Sequence, residues 1–168
     1  MGKIPHSKTT LTNQDIDTVA KTVKSGMIIA GKQKLSFQKQ FQDYIQKEHT
    51  AIYSSGASAL YEILLALGVK QGDKVLIPSY ICISVKQAIV KTGAEPIYFD
   101  NEKMSWTASA KEVCKRLSSN TKAIILNHTF GIQYDRDEIK KLAELDIALI
   151  EDCAHFISSH ESDVEVSN

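Results

Sequence analysis

Thr12 and Asp15 open a stretch in which Ile16, Val19, Ala20 and Val23 recur at helical spacing, and Gly26 is placed to stop it. A second helix is predicted over 36–47, with Phe37, Phe41, Tyr44 and Ile45 on one face. From Thr50 onward the period changes. Short apolar runs at 51–53, 75–77, 97–99, 123–126 and 147–150 alternate with helical stretches near 57–67, 81–92, 109–118 and 136–145. Apolar runs of this length, bounded by turn residues, read as buried strands. Ser109 with Glu112 and Asp135 with Glu138 predict helix caps, Gly68 and Gly93 predict stops, and Gly72-Asp73 predicts a turn. Strands separated by helices imply βαβ crossovers, hence an α/β fold with three layers (α/β/α) and a mainly parallel sheet. The chain divides into a helical arm over 1–48, an α/β domain over 49–159 and a polar tail over 160–168 that begins at His160.

Composition narrows the partners. Twenty Lys and Arg balance twenty Asp and Glu, so a nucleic-acid binder relying on phosphate electrostatics is not expected. The 168 residues suffice for one α/β domain with its own core. No apolar run approaches the roughly 18 residues of a membrane span; the stretch from Val75 to Val85 is interrupted by Pro78, Ser79 and Ser84. Residues 1–7 lack the apolar centre of a signal peptide, so the cytoplasm is the expected compartment. Cys82, Cys114 and Cys153 are odd in number and widely spaced, which suits free thiols in a reducing compartment.

Ligands of open parallel sheets bind beyond the C-terminal strand ends, where two segments carry chemistry. Ser54-Ser55-Gly56-Ala57-Ser58-Ala59-Leu60 runs small residues straight into a helix, whose free N–H groups and dipole favour an anion such as phosphate. The plainer reading is a tight turn capped by Ser55 or Ser58. Glu151-Asp152-Cys153-Ala154-His155 places carboxylates beside an imidazole at the last strand end, where Asp152 is able to hold a cationic heterocycle. Alternatively Asp152 caps a helix and His155 lies on the surface. A metal site of Cys153, His155 and His160 lacks paired CxxC or HxxxH spacing, and a Cys82 or Cys153 nucleophile needs a base that sequence does not identify.

Taken in order, several segments resemble the N-terminal half of the DegT/DnrJ/EryC1/StrS family of pyridoxal-phosphate-dependent sugar aminotransferases, within the aspartate aminotransferase superfamily. They are Ile4-Pro5-His6-Ser7-Lys8, the loop from Ser25 to Gly31, Ser54 to Leu60, Gly72 to Tyr80, Gly93 to Asp100, His128-Thr129-Phe130-Gly131 and Glu151 to His155. The resemblance covers residues 4–159 and implies an incomplete large domain of a PLP-dependent transferase, with 49–159 as its cofactor-binding part. It implies that the Ala57 backbone and Ser58 hydroxyl hold the cofactor phosphate. Asp152 would keep the pyridine nitrogen protonated, so that the ring serves as an electron sink, and His155 would lie near the phenolic oxygen.

Cys82 stands where many members place an aromatic residue against the cofactor ring, and Ser158 where Gly is common. The family's Schiff-base lysine, and the phosphate-binding serine shortly before it, belong to a segment beyond the resemblance. No lysine here has a matching context, and no catalytic residue is assigned. The implied substrates are an amino acid such as glutamate and a keto-sugar nucleotide, in polysaccharide or antibiotic-sugar biosynthesis. The implied partner is a second copy or a complementing C-terminal chain. A truncated or split aminotransferase, inactive and weakly PLP-retaining on its own, is therefore expected, with the strand at 51–53 deprived of its neighbour. The alternatives are a non-catalytic remnant binding a phosphorylated ligand or a partner, and an unrelated doubly wound nucleotide-binding domain. The last is disfavoured because no glycine fingerprint follows the first apolar run.

Overall fold

A computed structural model describes residues 8–29 and 31–157. The motif at 4–7, Ala30, Ser158, His160 and the tail 160–168 lie outside the described residues. The chain separates into two compact units between Ala51 and Ile52.

The first unit carries α1 (Asn13–Lys24) and α2 (Lys32–Ile45). Thr12 and Asp15 form the expected reciprocal cap: the Thr12 side chain accepts from Asp15 N–H, and Asp15 Oδ2 accepts from Thr12 N–H at 2.7 Å. Helix α2 starts four residues before the expected Ser36, because Gly31 is extended and good helix formers follow it at once. Ser36 is an interior residue whose hydroxyl accepts from Gln40 Nε2. Phe37 and Phe41 stack one turn apart, with centroids 5.7 Å apart.

The second unit is a four-stranded, wholly parallel sheet in the order β2-β1-β3-β4. Its strands are β1 (Lys74–Pro78), β2 (Glu95–Phe99), β3 (Thr121–Asn127) and β4 (Ala148–Asp152). The segment 51–53, expected as a first strand, is a correction: it joins no ladder among the described residues. Apolar character alone does not make a strand; a neighbour must accept its N–H and C=O groups. Pro96 is accommodated because β2 lies at the sheet edge.

Helices α3 (Gly56–Ala66) and α4 (Ile83–Lys91) cover one face, and α5 (Ala110–Cys114) and α6 (Arg136–Ala143) the other. Side-chain alternation along the strands divides the core accordingly. Val75, Ile77, Ala123 and Ile125 pack with Leu60, Leu64, Val85 and Ile89 on the first face; Leu76, Ile124 and Leu126 pack with Val113 and Leu142 on the second. The caps at Ser109 and Asp135 form through their own side chains. Glu138 does not return to Asp135 but accepts from Ala110 N–H and pairs with Lys141, tying α6 to the start of α5. Helix α5 is shorter than expected; after Cys114 the bonds tighten to Arg116 N–H with Val113 C=O and Leu117 N–H with Cys114 C=O.

Candidate functional site

Strand order creates the site. The chain leaves β1 toward β2 on the α4 side, then crosses back over β1 through α5 to β3 and continues to β4. Loops after β1 and β3 therefore diverge to opposite faces, which opens a crevice at their C-terminal ends. A cavity of about 360 Å³ lies there. Tyr80, Ile81 and Cys82 line it from the loop after β1, Asn127 to Phe130 from the end of β3, and Asp152, Ala154 and His155 from the end of β4.

Asp152 is the last residue of β4, opposite Asn127 in the β3–β4 register. It alternates with Ala148 and Ile150, both packed against the core beneath α3 and α4, so it belongs to the face from which Cys82 approaches. Its Oδ1 accepts from Ala154 N–H at 3.0 Å, and its carbonyl accepts from His128 N–H at 3.1 Å. The structure thus brings Asp152, His155 and Cys82 to one cavity. The expectation of a helix cap at Asp152 is not met, because a short turn rather than a helix follows it among the described residues.

Ala57 and Ser58 line a neighbouring groove with Ser84, Gln87 and Lys91 of α4. The first turn of α4 borders both, with its N-cap Cys82 lining the cavity and Ser84 lining the groove. At the start of α3, the Ser55 hydroxyl accepts from Ser58 N–H at 3.1 Å, and the first intrahelical bond runs from Ala59 N–H to Ser55 C=O. The N–H groups of Gly56 and Ala57 precede it and point out of the helix end without intrahelical partners. Ser84, through its hydroxyl first and then its backbone N–H, holds the Cys82 thiol below its ordinary pKa, with the nearby Asp152 charge opposing.

In the cavity wall, His128 is only 4% exposed, and its Nε2 lies 3.0 Å from Glu151 Oε2. Burial disfavours the charged ring, but hydrogen bonds to Cys153 and Glu151 outweigh it and carry the His128 pKa from 6.5 up to about 9. Tyr134 N–H faces Nδ1 at 3.4 Å, a long and weak hydrogen bond.

Among the cavity residues not singled out individually from the sequence are Tyr80, Asn127, His128 and Phe130. The available signal was their position just at or past a strand's C-terminal end. Tyr80, Trp106 and Phe130, from three different loops, pack ring to ring with centroids 5.1 to 6.2 Å apart. Among the described residues no group of three or more His, Cys, Asp and Glu side chains is disposed to hold a metal ion. No helix among them is long and apolar enough to cross a membrane.

A parallel sheet covered on both faces, with a carboxylate and an imidazole at its switch-point crevice, defines a doubly wound α/β domain. The chain belongs to the DegT/DnrJ/EryC1/StrS aminotransferase family, whose model matches residues 9–168. GDP-perosamine synthase of Escherichia coli O157:H7 is 32% identical over 161 residues, 95% of this chain and 44% of that protein. The aminotransferase from Psychrobacter cryohalolentis superposes with a TM-score of 0.84 at 25% identity, over 92% of this chain and 40% of its own. NtdA from Bacillus subtilis, with bound cofactor PMP, superposes with a TM-score of 0.81 at 26% identity, over 88% of this chain and 35% of its own. The chain therefore spans less than half the length of these relatives.

Proposed function

We propose that this chain supplies the cofactor-holding part of a pyridoxal-phosphate-dependent sugar aminotransferase. The reaction would move an amino group from an amino acid such as glutamate to a keto-sugar nucleotide. The observation that carries the reading is Asp152 at the end of β4, its carboxylate in the switch-point cavity that His155 and Cys82 also line. The residues fit the cofactor chemically. A carboxylate suits a protonated ring nitrogen, and the free amides at Gly56 and Ala57 with the Ser58 hydroxyl suit a phosphate.

When bound, pyridoxal phosphate supplies a reactive carbonyl and an electron-accepting ring. This chain's part is to keep that ring charged and seated. Asp152 holds the proton on the ring nitrogen, Ala57 and Ser58 bind the phosphate, His155 donates toward the phenolic oxygen, and Cys82 offers a small polarizable contact in place of an aromatic face. Residues 1–48 form the arm and 49–159 the cofactor-binding part. Among the described residues that line the cavity none is a lysine, and no lysine of the chain has the context of the family's Schiff-base lysine, which supports a proton-shuttling lysine supplied by another segment. Such a chain is inactive alone; a complementing C-terminal chain supplies the lysine, and a second copy is the dimer partner the family implies. The reading predicts cytoplasmic residence and a place in polysaccharide or antibiotic-sugar biosynthesis.

The test mixes this chain with the C-terminal half of a homologous aminotransferase and follows amino transfer from glutamate to a keto-sugar nucleotide. Turnover only in the mixture supports the proposal. Binding of phosphorylated ligands with no turnover in any mixture would favour the non-catalytic alternative.

A further inference from the structure

The turn after β3 contains two successive left-handed residues, Phe130 with φ 56° and ψ 21° and Gly131 with φ 79°. For a phenylalanine this conformation is disfavoured and persists only where surrounding contacts enforce it. Core burial does not explain it, because the Phe130 side chain is 59% exposed.

What the turn does hold is His155. Phe130 N–H donates to His155 Nδ1 at 3.1 Å. The two rings lie 12° from parallel, with centroids 6.1 Å apart. A Cβ on Gly131 would come within 3.2 Å of the His155 carbonyl oxygen. Trp106 meets Phe130 edge-on at 5.1 Å and Tyr80 leans on it at 6.2 Å, so the Phe130 ring is itself braced. One residue thus fixes the direction of Nδ1 and one face of the imidazole, while the next admits the His155 backbone. With Nδ1 occupied as an acceptor, the neutral ring carries its proton on Nε2.

We propose that the Phe130–Gly131 turn is a positioning device that selects the Nε2–H tautomer of His155 and holds that ring at the cavity shared with Asp152. Phe130 is then a positioning residue for the donor. What Nε2–H meets in the cavity rests on the proposed function; selection of the tautomer does not.

The test is NMR on the full 168-residue chain, labelled with 15N-histidine, at pH 8.5, above the ordinary imidazole range. His155 is expected as a single tautomer with Nδ1 unprotonated and its ring protons shifted upfield by the Phe130 face. Phe130→Tyr keeps both signatures. Phe130→Gly keeps the backbone donor and the left-handed geometry, so the tautomer stays and the upfield shift disappears. Gly131→Ala gives a tautomer mixture; if that variant does not fold, the wild-type and Phe130→Gly spectra decide. An Nδ1–H tautomer or an even mixture in the wild type overturns the inference, as do ring-proton shifts unmoved in Phe130→Gly. In the reconstituted mixture, Phe130→Gly lowers kcat by about tenfold with KM little changed, and adding it to His155→Ala causes no further loss. Additive losses overturn the coupling. Absence of any wild-type turnover counts against the proposed function, and the spectra still decide the tautomer.

Discussion

His128 and Asp152 are joined through the backbone: the N–H that follows the last residue of β3 donates to the carbonyl of the last residue of β4 at 3.1 Å. The ladder therefore extends to the rim of the cavity, and Asp152 is held by sheet geometry. Its carboxylate enters the site with one oxygen already accepting from Ala154 N–H, which limits its rotation.

That arrangement separates charge from shape at Asp152. Asp152→Asn retains an amide oxygen able to accept from Ala154 N–H, so folding stability should change little. Turnover of the reconstituted enzyme should fall by about a hundredfold or more, because a neutral amide no longer favours a proton on the ring nitrogen. Equal turnover of wild type and Asp152→Asn would remove Asp152 from the role.

Ser58 should behave differently. Its hydroxyl is 3.0 Å from that of Ser55, and it stands in the first turn of α3 beside the free amides of Gly56 and Ala57. Ser58→Ala removes one hydrogen bond to a charged phosphate and should weaken cofactor retention by about tenfold. With saturating cofactor, turnover should return to nearly the wild-type value. A loss that excess cofactor does not repair would place Ser58 outside phosphate binding.

The layered fold was legible because four apolar runs, from 75–77 to 147–150, lie between helices with readable caps such as Ser109 and Asp135. The run at 51–53 misled because strand pairing is non-local, and apolar character says nothing of a partner. Asp152 and His155 were legible as chemistry at a strand end. Phe130 was not, because its contribution lies in a left-handed backbone and an N–H aimed at a residue 25 positions away. The start of α2 was misplaced because Gly31 caps it through extended backbone alone, with no side-chain hydrogen bond.

His128 makes stability depend on pH. Its folded-state pKa of about 9 lies above the ordinary 6.5, so the folded state binds the proton more tightly than the unfolded chain. The contribution is fully present below pH 6.5 and is lost progressively as pH rises through 9. Its size is on the order of 3 kcal/mol. Urea denaturation at pH 6 and pH 10 should show wild type losing more stability than Glu151→Gln, which lacks the carboxylate. Parallel losses in the two proteins would rule out this pair as the cause.

Gly93 joins α4 to β2 with φ 89°, and a Cβ there would meet the backbone nitrogen and Cβ of Gln71, each at 3.2 Å. Both the conformation and the contact oppose a side chain. Gly93→Ala should lower stability by about 1–3 kcal/mol, read as a shift of the urea midpoint without a change of slope. A neutral effect would mean that the turn relaxes freely.

Borohydride trapping should distinguish this chain from a complete enzyme. Lys91 lines the proposed phosphate groove with its ammonium over the Tyr61 ring at 4.5 Å, and the described lining of the Asp152 cavity includes no lysine. Pyridoxal phosphate added to the chain alone and then reduced should leave no lysine labelled stoichiometrically; scattered substoichiometric adducts on surface lysines are expected. Peptide mapping that finds one lysine fully modified would show that this chain carries its own attachment point.

Complementation is the strongest expectation because folding and catalysis would be rescued together. Among the described residues the segment 51–53 has no ladder partner, and Tyr53 and Ile81 line the groove and the cavity respectively. Strands β2 and β4 are both edges of the sheet, and every residue of β4 is only half-buried. Unpaired edges invite pairing with another chain, and a partner that binds only the folded state stabilises it by mass action. A C-terminal half from a homologous aminotransferase should therefore raise the urea midpoint of this chain and, in the same stoichiometric mixture, restore amino transfer. Asp152→Asn should abolish the second effect while leaving the first, since its backbone bonds are intact. Robust turnover by the 168-residue chain alone would overturn the need for a partner; stabilisation by the partner with wild-type turnover from Asp152→Asn would overturn the site.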